Sequence, residues 1–390
     1  MMKKNLLYTL CAALVLGCCV SDARPHRETE PRLSVPAQVQ SDALALNVFR
    51  ELAKEQQGSI AFSPASLEGL LHLLKQGARG KSAAELEALP MGKTGVATAM
   101  QPVEANALFI GENFRLKPGI KADEIIPAPL ITNPDRAAEQ INNWAKQKTR
   151  GMIPSIITPE VLKQGAPKRM VATNAVVLEE KWLHPFLDEE TNESYPFTCE
   201  DGSKTRVPMM FQKTMFRCAE GSDWRAVALF YRTESRPGEP GCFLGILPKG
   251  DARAFVSTLT AEKYSSIRQA LANAAPQKMT VGLPRFELRT PTFSLTNALK
   301  ACGLRHIFSM SADLSGFADE PLFLEQVLQR CYVKADEQGV RSAAVTAGIV
   351  GLRSVRLGPP PIVFDRPFVW AITDLTSPAA PLFMGIYTGK

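Results

Sequence analysis

The chain is poor in the residues and spacings that most enzyme chemistry needs. It has four histidines in 390 residues, His26, His72, His184 and His306. His26 falls in a polar stretch, and His72 lies between leucines in a run with helical periodicity, which points to packing rather than catalysis. There is no H-E-x-x-H pair for zinc, no G-x-S-x-G nucleophile turn and no G-x-G-x-x-G dinucleotide loop. The segment KQGARGKS, residues 75–82, ends like a phosphate-binding loop, but Lys75 stands where that motif requires its first glycine. It reads as a helix end and turn, with Gly77 as the C-cap. Nothing assembles a nucleophile, a base and oxyanion donors, so the sequence argues against an enzyme and calls for no cofactor.

Other absences narrow the class further. The five cysteines of the body, Cys199, Cys218, Cys242, Cys302 and Cys331, are too widely and irregularly spaced for a disulfide framework or a zinc site. They read as small buried hydrophobes, and their odd number leaves at least one thiol unpaired. The net charge of +6 does not by itself argue for nucleic-acid binding, since it comes with no dense Lys/Arg run, and no nucleic-acid partner is expected. The early apolar run, Leu6 to Leu16, is too short to span a bilayer.

That run has the size of a signal-peptide core behind Lys3 and Lys4. It ends in Val15-Leu16-Gly17-Cys18, which resembles a bacterial lipobox and makes Cys18 the expected lipid-bearing residue; cleavage near Ala23 is the alternative. Residues 1–18 are thus expected to be a lipoprotein signal, 19–40 a proline-dotted tether, and 41–390 one folded domain. The protein is expected to be exported and lipid-anchored to the cell envelope, or secreted if it is not lipidated.

Within the body, Leu44, Val48, Phe49 and Leu52 share a helical face. A short strand follows, then Ser63 as N-cap, Pro64 in the first turn, and a stripe of Leu67, Leu70, Leu71 and Leu74. Residues 135–153 form another amphipathic helix with Ala138, Ile141 and Ala145 inward. Residues 170–182 read as a buried strand. Between Met209 and Leu247 three strands follow one another, with turns at Gly221 and Pro237-Gly238. KMTVGLPRFELRT reads as a strand pair before the helix TNALKACG, and the chain closes on two apolar strands. Helices first and strands later predict a single α+β domain.

Nine ordered segments carry a resemblance: AFSPASL, INNWAKQKTRGMI, TNAVVLEEKWLHPF, VPMMFQ, LPRFEL, ALKACGLRHIFSMSADLSG, KADEQG, FDRPFVWAI and LFMGIY. In order and spacing they are similar to the signature blocks of the serpins, over essentially all of residues 41–390. The resemblance implies three β-sheets, about nine helices and an exposed reactive-centre loop, here about 337–361. It also implies a mechanism: a protease cleaves the loop as bait, and the cut loop inserts into the main sheet.

Insertion makes a demand the residues meet. Side chains one apart face opposite sides of a strand. Val340, Ser342, Ala344 and Thr346 share one side and carry no charge, as do Gly348, Val350 and Leu352, while Arg341 falls on the other. Family spacing from the hinge Glu337, through Gly339, puts the reactive bond at Arg353-Ser354. Counting back from Phe364 gives Arg356-Leu357 as the alternative. Either arginine implies trypsin-like serine proteases as targets, with cysteine proteases as a second class.

The sequence also departs from the pattern. Val340, Arg341 and Ser342 replace the usual early hinge residues. The shutter positions Ser63, Ser66 and Asn174 match, but Gln329 stands where the family has histidine; glutamine can still donate and accept. Residues 82–135 match weakly, which removes support for glycosaminoglycan binding. The expectation is an inhibitory, lipid-anchored, monomeric serpin. The alternative is a non-inhibitory carrier, chaperone or adhesion protein, whose hinge would carry prolines or charges at insertion positions; none occurs there.

Overall fold

Capping and periodicity account for most of the helices. The computed structural model describes residues 42–91, 100, 103–165, 168–178, 180–232, 241–340, 359–377 and 379–389. Helix Asp42–Glu55 buries Leu44, Val48, Phe49 and Leu52. Ser63 caps helix Pro64–Gly77 by accepting the Ser66 N–H at 3.1 Å, and the four stripe leucines are buried. Gly77, expected as the C-cap, is instead the last helical residue, and the cap is Ala78, whose N–H donates to the Leu74 carbonyl. Gly77 does not adopt positive φ; a Cβ there would lie 1.9 Å from the Phe317 ring, so the glycine makes room for a buried aromatic. Helix Pro134–Lys148 buries Ala138, Ile141 and Ala145, and Trp144 with them. The described residues form eight α-helices and two short 3₁₀ helices.

Three main sheets carry the strands. One runs Ile60–Phe62, Phe383–Tyr387, Phe368–Asp374, Gly241–Pro248 and Trp224–Phe230, antiparallel at each step. The long strand Lys204–Glu220 joins it through residues 217–220 and, through its earlier part, belongs to a second sheet with Thr191–Thr198 and Gln277–Pro284. Ile362–Val363 adds to that sheet in parallel with Val281 and Gly282. KMTVGLPRFELRT is therefore not a strand pair. Its first half pairs with Lys204–Glu220, while Phe286–Arg289 crosses to the third sheet and pairs with Tyr332–Ala335. Alternation shows that a segment is a strand but not which partner it takes.

The third sheet is divided. On one side Glu124–Pro127, Val103–Ile110 and Met170–Val177 form a three-stranded ladder. On the other, Phe286–Arg289 pairs with Tyr332–Ala335, and Phe293–Ser294 with Leu328–Gln329. Among the described residues no ladder joins Met170–Val177 to Tyr332–Ala335. Met170, Val171 and Ala172, expected to be buried, are accordingly only half-buried.

Candidate functional site

After Tyr332–Ala335 the chain reverses on a tight turn. The Asp336 N–H donates to the Gly339 carbonyl at 3.1 Å, and the Gly339 N–H donates back at 3.3 Å, leaving Glu337 and Gln338 at the corner. Gly339 has φ +137°, and a Cβ there would meet the Glu180 carbonyl oxygen at 2.3 Å, so only glycine fits. The short strand Gly339–Val340 then runs antiparallel to Glu180–Lys181, pairing Gly339 with Lys181 and Val340 with Glu180. The hinge thus turns back into the divided sheet, along the chain that follows Met170–Val177.

Glu337 is 5% exposed. Its carboxylate accepts from Arg285 Nη1 at 3.0 Å and from Thr191 Oγ1 at 2.9 Å, and Arg285 Nη2 reaches Glu193 at 2.6 Å. The Glu337 carbonyl takes the Phe186 N–H at 2.8 Å. Trp182 supports the turn from within the core. Its ring N–H donates to the Asp336 carbonyl at 2.7 Å, its backbone N–H to the Gln338 carbonyl at 3.1 Å, and its ring stacks on Tyr231 at 5.1 Å. Arg285, Thr191, Glu193 and Trp182 escaped the sequence reading. The one signal was Arg285 itself, a lone cation in the apolar segment VGLPRF.

At the other end, Gln329 grips the peptide backbone of Ser63 from both sides. The Ser63 N–H donates to Gln329 Oε1 at 2.8 Å, and Gln329 Nε2 donates to the Ser63 carbonyl at 3.0 Å. The Ser63 hydroxyl donates to the Leu382 carbonyl at 2.7 Å while accepting from Ser66. Asn174 lies on Met170–Val177, in register with Asn106. Ser342, Ala344, Thr346, Arg353, Ser354, Arg356 and Leu357 lie outside the described residues, as do Cys18, the tether and Pro237-Gly238. Where the chain returns, Arg225 donates to the carbonyls of Pro360 and Pro361 at 2.9 and 3.0 Å.

A divided sheet, a hinge folded back into it and a fixed return strand belong together in one protein family, and the serpin (serine protease inhibitor) profile matches residues 39–389. The chain is a serpin. Glia-derived nexin of Mus musculus is 27% identical over 364 residues, covering 87% of this serpin and 90% of that protein. An uncharacterized serpin-like protein of Methanosarcina acetivorans is 25% identical over 378 residues, covering 88% and 86%. Native protease nexin-1, crystallised with heparin, superposes with a TM-score of 0.77 at 24% identity, covering 90% of this chain and 99% of that one. The thermophilic serpin tengpin gives 0.76 at 22%, covering 90% and 94%. Both likenesses establish the fold.

The family is one of serine protease inhibitors for the most part and not of enzymes, which accounts for the missing catalytic constellation. The five body cysteines of this serpin are all unpaired. Burial pushes the Cys242 and Cys331 thiols far up and Cys302 to about 11, so these three are not poised as nucleophiles.

Proposed function

We propose that this serpin inhibits trypsin-like serine proteases by offering Arg353-Ser354 as a suicide bond, with Arg356-Leu357 as the alternative. The observation that carries the reading is the divided sheet with Gly339–Val340 already turned into it. In this reading the protease serine attacks the Arg353 carbonyl carbon. The peptide bond breaks, the amine of Ser354 leaves, and an acyl-enzyme remains on Arg353. The freed hinge then extends as a strand. Continuing the register that pairs Val340 with Glu180, Ala344 comes beside Val176, Gly348 beside Ala172 and Val350 beside Met170. The new strand satisfies two open strand edges and drags the tethered protease along before water can release it. The uncharged set Val340, Ser342, Ala344 and Thr346 faces the core, and Arg341 faces solvent. Cys18 carries lipid and holds the protein at the cell envelope as a monomer.

Incubation with trypsin tests the reading. A covalent complex resistant to denaturant is expected, with a released peptide beginning at Ser354; a peptide beginning at Leu357 moves the bait to Arg356. Ala344→Glu, which buries an unpaired carboxylate, should be cleaved with little complex, while Ala343→Glu should inhibit nearly as well as the parent. Equal complex yields from the two variants would sink the insertion mechanism. Clean cleavage of the parent without complex would favour a carrier. Loss of fatty-acid labelling in Cys18→Ser tests the anchor.

A further inference from the structure

At the end remote from Gly339, the strand interval opens into a cavity of about 500 Å³. Both halves of the divided sheet line it, Met170 and Ala172 on one side and Val327 and Leu328 on the other; Leu70 and Leu162 add helical walls. Its charged lining is uneven, with Lys168, Arg169 and Arg330 against Glu325 alone. Lys168 pairs with Glu325 across the lining, and Arg330 donates to the carbonyl and hydroxyl of Ser155 at 3.0 and 2.7 Å. An apolar interior with a net positive lining, in the size range of small-molecule sites (about 300–1,000 Å³), matches one chemical class.

We propose that this cavity binds a small amphipathic monoanion, of the class of a medium-chain carboxylate, and that occupancy blocks loop insertion. The chain of the ligand lies between Ala172 and Leu328, and its carboxylate meets the excess cations. The blocking role rests on the insertion reading above, in which Gly348 and Val350 must come to lie beside Ala172 and Met170. A ligand there halts the incoming strand before residue 348 arrives. Deacylation then wins the race, and the inhibitor becomes a substrate. Binding itself does not depend on that reading.

Decanoate and decanol are the probes. The protein is the full chain carrying Cys18→Ser, so that no acyl chain on Cys18 competes with the probe. Calorimetry should show one saturable decanoate site, about tenfold tighter than for decanol. Leu162→Trp and Leu322→Trp fill the cavity from different walls. Each should weaken decanoate about tenfold or more while still melting cooperatively. Saturating decanoate should shift the trypsin reaction from covalent complex to cleaved inhibitor. No saturable decanoate binding, or an affinity unchanged in both filled variants, overturns the site; unchanged partitioning at saturation overturns the blocking role. If no complex forms even without decanoate, the inhibitory reading and the blocking role fall together, and the titration alone then decides the site.

Discussion

Arg285 and Glu337, 52 residues apart in the chain, form a 3.0 Å ion pair at the hinge turn, the carboxylate almost fully buried and the guanidinium about one-third exposed. Thr191 completes the grip on the same carboxylate oxygen. The pair fixes the corner from which the hinge strand leaves.

Reversing one charge there should loosen the hinge. Glu337→Lys faces Arg285 with a second cation and strips Thr191 of its acceptor. A cost of about 3 kcal/mol is expected, below the upper range for buried pairs because Arg285 is partly solvated. Urea denaturation measures it. Combining Glu337→Lys with Arg285→Glu should restore part of the loss, and a double variant no better than the single one would show that the pair does not matter.

Gln329 should be needed for both of its hydrogen bonds to Ser63. Gln329→Leu leaves the buried Ser63 N–H without that partner, at about 1–3 kcal/mol before relaxation, while the Ser63 carbonyl keeps the Leu67 N–H at 3.1 Å. The denaturation midpoint should drop accordingly. Gln329→Glu keeps an acceptor for the Ser63 N–H but sets a carboxylate against the Ser63 carbonyl, so it should also destabilise at neutral pH.

Trp182 should report hinge movement. Its ring N–H is bonded to the Asp336 carbonyl, and its ring is stacked on Tyr231. Cleavage by trypsin should therefore shift the emission spectrum, and Trp182→Phe should abolish the shift although Trp144, Trp224 and Trp370 remain. A full shift in Trp182→Phe would place the rearrangement elsewhere.

Gly339→Ala should impair the hinge without touching the bait. At φ +137° the added Cβ meets the Glu180 carbonyl, so the backbone must move and the pairing with Lys181 is lost. More inhibitor molecules should be cleaved per protease inhibited, by severalfold, at an unchanged rate of initial cleavage. A parent-like stoichiometry would show that this pairing is irrelevant to insertion.

Thiol labelling should be slow in the folded protein. Burial raises the Cys302 thiol to about 11 and also raises Cys218, so at pH 8 both are mostly protonated. Labelling of Cys302 should accelerate about tenfold per pH unit toward that range, and labelling of Cys218 should also rise with pH, because the thiolate is the nucleophile. Cys242 and Cys331, buried deeper, should react only on unfolding.

Local chemistry decided what the sequence by itself determined. Ser63 before Pro64 marks a helix start because the hydroxyl and the missing N–H act within one turn; leucine spacing sets which face is buried; and alternation from Val340 onward states the parity that insertion needs. Nine ordered segments were enough for the family. Only the tertiary structure decided the rest, because each case depends on a partner distant in sequence. Gly77 yields to Phe317, Gln329 answers Ser63, and Arg285 answers Glu337. KMTVGLPRFELRT divides between two sheets because its two halves meet different strands. That no ladder joins Met170–Val177 to Tyr332–Ala335 among the described residues is also invisible in either strand alone, since pairing is a property of two segments together.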